Sequence, residues 1–157
     1  MMRVYLVTIR ILRSISKILS HLKLPYVLLV DSDLARKNTF VKVFENQVAY
    51  ATIFTMDDGQ SFLAFLSERG WDDLPSLIIL NYQLPDMNAP DILRELLIDH
   101  RYLHIPKFVW TSTLEKKETE EYRMLGIKHF FKSPVDLFEL EAQVRKIDDL
   151  LNPELYR

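Results

Sequence analysis

Polar side chains stand at the ends of the short apolar runs in this sequence. They are Asp31, Ser32, Asn81, Thr111, Lys132 and Ser133. Carboxylate oxygens bind hard cations such as Mg²⁺ and can act as nucleophiles. The neutral amide of Asn81 is a poor nucleophile and cannot form an acyl phosphate. The set therefore indicates a small polar site that contains one carboxylate, Asp31.

The elements that must position this set alternate regularly from Tyr26 onward. The predicted strands are Tyr26–Val30, Val48–Phe54, Leu77–Leu80, Ile105–Trp110 and Ile127–Phe131. The predicted helices cover about 34–46, 58–69, 90–101, 114–125 and 136–151. Strands alternating with helices favour an α/β fold with a parallel sheet covered on both faces. Polar residues at the carboxyl ends of such strands lie where open α/β sheets carry their sites.

The ends of the predicted helices have recognisable signals. Asp33 is the expected N-cap of the first helix, and either Asp57 or Asp58 caps the second. Pro90 suits the first turn of the third helix, and Gly126 suits the end of the fourth. These signals predict where the chain turns back toward the next strand.

Composition narrows the function. The chain has 157 residues, 48% of them apolar, and no cysteine, which fits one packed domain in a reducing cytoplasm without disulfides or thiolate metal sites. Residues 1–30 carry five cations and no acid, so the remainder has a formal charge of −7 from 15 cations and 22 acids. A body this acidic argues against nucleic-acid binding. Only three glycines are present, and no glycine-rich phosphate loop is among them.

The first residues differ from the rest. Residues 1–24 form a basic extension in which Ile11, Ile15, Ile18 and Leu22 recur at helical spacing, whereas 25–152 form the domain and 153–157 a tail. Two interpretations stand side by side: a helix that docks on the domain or on a partner, and a mis-assigned start codon. Attachment to an anionic membrane surface is less favoured than either.

Four spaced motifs resemble those of receiver domains in bacterial two-component response regulators. They are Val27–Asp33, Asn81–Met87, Phe108–Ser112 and Phe130–Pro134, and the resemblance covers about 26–150. It implies a CheY-like, flavodoxin-like doubly wound fold with five parallel strands. In that family an aspartate at the position of Asn81 takes a phosphoryl group from a histidine kinase. Two acids at positions 31 and 32 help to hold Mg²⁺, and a lysine at position 133 precedes a cis-proline. The resemblance assigns Thr111 and Phe130 to the switch positions.

Three chemical positions depart from the family together: Ser32, Asn81 and Ser133. We expect the phosphorelay to be lost, Mg²⁺ binding to be weak or absent, and Asp31 to be the one residual metal candidate. We interpret Asp31 chiefly as a carboxylate held by backbone amides or by a lysine. Strand alternation turns Lys132 away from the site, so that only a local bulge would bring it back. The geometry of the Ser133–Pro134 bond stays open.

The resulting hypothesis is a degenerate, phosphorylation-independent receiver domain. It would be a signalling module without cofactor or enzymatic activity. It would act on protein partners, such as a histidine kinase, or form a homodimer through the face of the fourth helix, fifth strand and fifth helix. The alternative is a phospho-accepting regulator that uses Asp31, Asp33 or Asp86 in place of the missing aspartate.

Overall fold

A computed structural model describes residues 24–112, 116–127 and 129–151, with the side chains of 116–118 left out. The strands are β1 (Tyr26–Val30), β2 (Thr52–Met56), β3 (Leu77–Asn81), β4 (Lys107–Thr111) and β5 (His129–Lys132). The helices are α1 (Leu34–Gln47), α2 (Gly59–Ser67), α3 (Ala89–Ile98), α4 (Lys116–Met124) and α5 (Leu137–Leu151). The predictions for 1–23 and for the tail 153–157 lie outside the described residues.

The five strands form one parallel sheet in the order β2-β1-β3-β4-β5. The central strands β1 and β3 are buried on both faces, and Val27–Val30 and Leu77–Leu80 have no exposed surface. Parallel sheets with helices on both sides require such continuous apolar strands. The predicted fold class, a CheY-like α/β sheet, is confirmed.

Alternate residues of each strand serve two separate cores. Leu28, Ile78 and Leu80 face a core completed by helix residues such as Phe62 and Ile92. The neighbouring strand residues face the opposite core, which includes Phe40, Phe44, Trp110, Val144 and Ile147. Because side chains alternate along a strand, each strand joins both layers, and the sheet is held rigid beneath its polar edge.

Predicted caps are present where the helices begin. The Asp33 side chain accepts a hydrogen bond from the Arg36 amide, and the Asp58 side chain accepts one from the Ser61 amide. Gly126 has a φ of 83°, a left-handed conformation that favours glycine at a helix end. The caps fix the chain path from each strand end into the following helix.

The observed second strand, Thr52–Met56, lies later in the chain than the predicted strand, Val48–Phe54. Val48 is fully buried, and its amide donates to the Phe44 carbonyl at 2.8 Å, so it ends α1 and belongs to no strand. The strand begins at Thr52, whose amide donates to the Pro25 carbonyl. An apolar pattern does not separate a buried helix cap from the first residue of a strand.

The third helix is also shorter than predicted. It ends at Ile98, and a separate 3₁₀ turn covers His100–Tyr102. The Asp99 side chain accepts from the Arg101 amide and starts this turn. Among the helices that the structure describes, none is long and apolar enough to cross a bilayer.

Candidate functional site

The carboxyl ends of β1, β3, β4 and β5 surround an open groove of about 470 Å³. Its lining residues are Ser32, Arg36, Asn81, Tyr82, Gln83, Leu84, Pro85, Ser112 and Ser133. Three of the predicted site residues, Ser32, Asn81 and Ser133, line the groove. Asp31 lies directly beneath it and contacts two of the lining side chains.

Asp31 is fully buried, which is unusual for a carboxylate unless it is paired. Its Oδ1 accepts from the Asp33 amide at 3.0 Å and from the Asn81 Nδ2 at 3.2 Å. Both carboxylate oxygens also accept from the guanidinium of Arg36. The Nη2–Oδ1 contact is 2.6 Å, and Nε donates to Oδ2. The expectation that nearby amides hold Asp31 agrees with these contacts, but its cationic partner is an arginine where a lysine was expected.

Sequence reasoning missed Arg36. It is the third residue of α1, and its side chain reaches back past the Asp33 cap to the end of β1. Helix side chains tilt toward the helix N-terminus, which makes this return path the natural one. The hydrogen bond to Asp31 raises the pKa of Arg36 above its ordinary value, so the group stays cationic. The available signal was a cation three residues after the helix cap Asp33, which itself follows the buried Asp31.

Asn81 is the last residue of β3, and its amide nitrogen is shared. Nδ2 donates to Asp31 Oδ1 and to the Gln83 carbonyl, each at 3.2 Å. The following backbone is held as well, because the Tyr82 amide donates to the Trp110 carbonyl at 2.7 Å. The side chain therefore ties the β3–α3 loop to the buried carboxylate.

The far wall of the groove comes from β4 and β5. Thr111 is buried and pairs in register with Lys132, and the Ser133 amide donates to the Thr111 carbonyl at 2.9 Å. This regular pairing leaves no bulge, so Lys132 stays exposed and does not line the groove. Lys132 therefore lies beside Thr111 in the sheet but outside the groove, whereas Ser133 lines it. The Ser133–Pro134 peptide bond is trans.

Two aromatic residues near this wall pack as core residues. Trp110 is fully buried against Phe40, with ring centroids 5.0 Å apart, and its Nε1 donates to Gln143 at 2.9 Å. Phe130, the predicted switch residue, is half-buried beside Tyr122 with a centroid distance of 5.3 Å. The two rings therefore pack on opposite faces of the sheet, Trp110 in one core and Phe130 against the other.

The other candidate acceptors have structural partners of their own. Asp33 caps α1, and the hydrogen bond from the Arg36 amide lowers its pKa. Asp86 accepts from the amides of Gly59 at 2.9 Å and Gln60 at 2.8 Å. Partial desolvation acts to raise the pKa of Asp86, but these amide hydrogen bonds outweigh it and lower the pKa. Both carboxylates are thus stabilised as anions at helix N-termini.

The comparisons with known proteins agree with this arrangement. The response regulator receiver domain family matches the chain over residues 27–145. This chain belongs to the receiver domain family. A chemotaxis protein CheY from Pseudomonas aeruginosa is 22% identical over 126 residues, covering 80% of this chain and 98% of that protein.

Solved receiver structures show the same fold. A phosphorylated cyanobacterial phytochrome response regulator, RcpA, superposes with a TM-score of 0.73 at 20% identity, over 82% of this chain and 94% of that one. The Mn²⁺-bound form of response regulator Rcp1 gives a TM-score of 0.69 at 22% identity, over 80% and 92% of the two chains. Receiver domains of this kind work in two-component signalling, where they interact with histidine kinases and other proteins.

The lining of the receiver groove offers few anionic oxygens to a divalent cation. Such an ion needs several anionic oxygens, yet Ser32 and Asn81 are neutral and both oxygens of Asp31 accept from Arg36. Within the described ranges, no cluster of three or more histidines and acids could hold a metal.

Proposed function

We propose that this receiver domain works in two-component signalling without being phosphorylated, through contacts with other proteins. The observation that carries the proposal is the amide of Asn81 at the carboxyl end of β3, hydrogen-bonded to Asp31 within the groove. An acyl phosphate forms only on a carboxylate, and Asn81 supplies none.

The neighbouring carboxylates support the same proposal. Asp31 is buried and paired with Arg36, Asp33 caps α1, and Asp86 accepts from two amides at the start of α2. A nucleophilic oxygen needs a free lone pair and an approach to the phosphorus atom. Asp31, whose two oxygens accept four hydrogen bonds, would therefore have to leave its partners before it could act as a non-standard acceptor.

Intact-mass spectrometry tests the proposal directly. The native chain, incubated with acetyl phosphate and Mg²⁺, is expected to gain no phosphoryl mass. A native chain that gains a phosphoryl group contradicts the proposal, and peptide mapping would then identify which carboxylate accepted it. An Asn81→Asp variant measured in parallel reports whether the Asn81 amide alone prevents phosphorylation.

The interaction surface that we propose is the face formed by α4, β5 and α5. β5 is the edge strand of the sheet, and an edge presents unpaired backbone groups to a partner. Beside it, His129, Phe130, Lys146, Asp149 and Leu150 line a cleft of about 380 Å³. Met124, at the end of α4, is 79% exposed. The charged residue Glu115 and the side chains of 116–118, which the sequence also assigns to this face, lie outside the described residues.

A second exposed apolar group lies at the opposite end of α5 and serves as a matched control. Leu34, Val135, Leu137 and Phe138 are each more than half exposed. If two copies associate through the α4–β5–α5 face, sedimentation equilibrium should show a dimer. Met124→Glu should weaken that dimer, and Leu34→Glu, on α1, should leave it unchanged. A chain that stays monomeric throughout the concentration range rules out the homodimer and leaves a different protein as partner.

A further inference from the structure

The charges at the receiver site balance without a metal ion. Arg36 is the one charged residue that lines the groove, and Asp31 is the carboxylate buried beneath it. The remaining lining residues are uncharged. A buried carboxylate is costly without a cation, and here the cation is covalently part of the chain.

The geometry of the pair leaves Asp31 little capacity for another partner. A carboxylate offers about four lone-pair positions on its two oxygens. Arg36 donates through Nε and Nη2, and the Asp33 amide and Asn81 Nδ2 donate to Oδ1. A divalent cation that binds Asp31 would therefore have to displace the guanidinium.

The position of Arg36 makes this displacement testable. Its side chain is 32% exposed, whereas that of Asp31 is fully buried. A second carboxylate, Asp33, lies 3.9 Å from Arg36 Nη1 on the solvent side. The guanidinium is thus held from both sides at the mouth of the groove, and removing it would uncover the carboxylate without altering the strand that carries it.

We propose that Arg36 is the built-in cation of this site: its guanidinium occupies the place beside Asp31 that a divalent cation would need. Two residues therefore oppose phosphorylation of the domain. Asn81 offers no carboxylate to accept a phosphoryl group, and Arg36 occupies the place of the divalent cation. Restoring an aspartate at position 81 alone does not create a metal site. This inference deepens the proposed function and rests on it.

The test measures Mn²⁺ binding to the full chain through the loss of the free-ion electron paramagnetic resonance signal. The proteins compared are the native chain, Asn81→Asp, Arg36→Gln and the double variant Asn81→Asp/Arg36→Gln. We expect the double variant to bind Mn²⁺ at least about tenfold more tightly than Asn81→Asp, because only it offers two unpaired carboxylates. The matched control, Asn81→Asp/Arg94→Gln, removes an exposed guanidinium from α3 and should behave like Asn81→Asp.

Equal Mn²⁺ affinities of Asn81→Asp and the double variant would overturn the inference, as would tight binding by the native chain. If the double variant does not fold without metal, its circular dichroism is followed during the Mn²⁺ titration, since a metal that binds only the folded chain drives folding. Folding at Mn²⁺ concentrations that Asn81→Asp does not bind supports the inference, and no folding at any concentration rejects it. The proposed function fails on a different result, the gain of phosphoryl mass by the native chain.

Discussion

Asp31 and Asp86 lie at the same edge of the sheet, yet they are held in different ways. Asp31 is buried, and its main partner is the side chain of Arg36. Asp86 is exposed, and its partners are the backbone amides of Gly59 and Gln60. A side-chain partner changes with one substitution, whereas a backbone partner persists as long as the chain follows the same path.

This difference separates the side chains of the groove from the backbone that carries them. Ser32, Asn81 and Ser133, which depart from the expected receiver pattern, line the groove together with Arg36. The loop that carries Asp86 keeps its course, because the Leu84 amide donates to the Met87 carbonyl and the Ala89 amide to the Tyr82 carbonyl. Chemistry and scaffold are thus encoded by separate parts of the same edge.

The largest expected effect comes from removing the cation beside the buried carboxylate. Arg36→Leu should lower the free energy of unfolding by about 3 kcal/mol at neutral pH, since it leaves Asp31 buried with no opposite charge. Urea denaturation followed by circular dichroism measures it. Adding Asp31→Asn to Arg36→Leu should recover most of the loss. If it does not, the guanidinium stabilises the fold through some other contact.

A smaller effect tests the close approach that holds the Asp86 loop. A Cβ on Gly59 would lie 2.4 Å from Met87 Cγ and 2.5 Å from Met87 Sδ. Gly59→Ala should therefore destabilise the fold by about 1–2 kcal/mol through overpacking. Thermal unfolding in a double-mutant cycle with Met87→Ala should show that the two changes compensate each other. Simple additivity would mean that the loop moves aside freely.

The Asp86 carboxylate itself should contribute less. Asp86→Ala is expected to lower the free energy of unfolding by about 1 kcal/mol at pH 7, because two amides at the start of α2 lose their acceptor. The folded pKa of Asp86 is lowered, so its stabilisation is complete above the ordinary carboxyl pKa of about 4 and is lost as pH falls through the folded value. Urea midpoints of the native chain and the variant should thus converge at low pH. Glu95→Gln, an exposed change on α3, is the control.

The smallest effect is expected at an arginine whose pairing is exposed. Arg94 contacts Asp91 at 2.8 Å and Glu121 at 2.6 Å, but about half of each of these side chains is exposed. Arg94→Gln should change the free energy of unfolding by no more than about 0.5 kcal/mol, and added salt should reduce even that. A loss as large as that of Arg36→Leu would show that burial is not what separates the two arginines.

The sequence predicted the sheet and its polar edge well, for a physical reason. Continuous apolar runs such as Leu77–Leu80 are required only where a strand is covered on both faces, and they were located to within a residue. Asp33 was identified as a cap because its preference is local.

What could not be predicted depends on contacts between elements. Arg36 reaches Asp31 only because β1 ends and α1 begins with a particular turn, and their spacing along the chain matches no helical or strand period. The start of β2 was misplaced because Val48 is buried as a helix cap and looks like a strand residue. In both cases the deciding contact forms only in the tertiary structure.

The two tryptophans occupy opposite environments, which gives the molecule a built-in optical reporter. Trp110 is fully enclosed, with its indole bonded to Gln143, whereas Trp71 is 62% exposed. Collisional quenchers should extinguish the emission of Trp71 and spare that of Trp110. In a Trp71→Phe variant, the remaining tryptophan fluorescence comes from Trp110. The Trp110 carbonyl accepts a hydrogen bond from the amide of Tyr82, the residue that follows Asn81. The wavelength of this fluorescence would then register any rearrangement of that loop in real time.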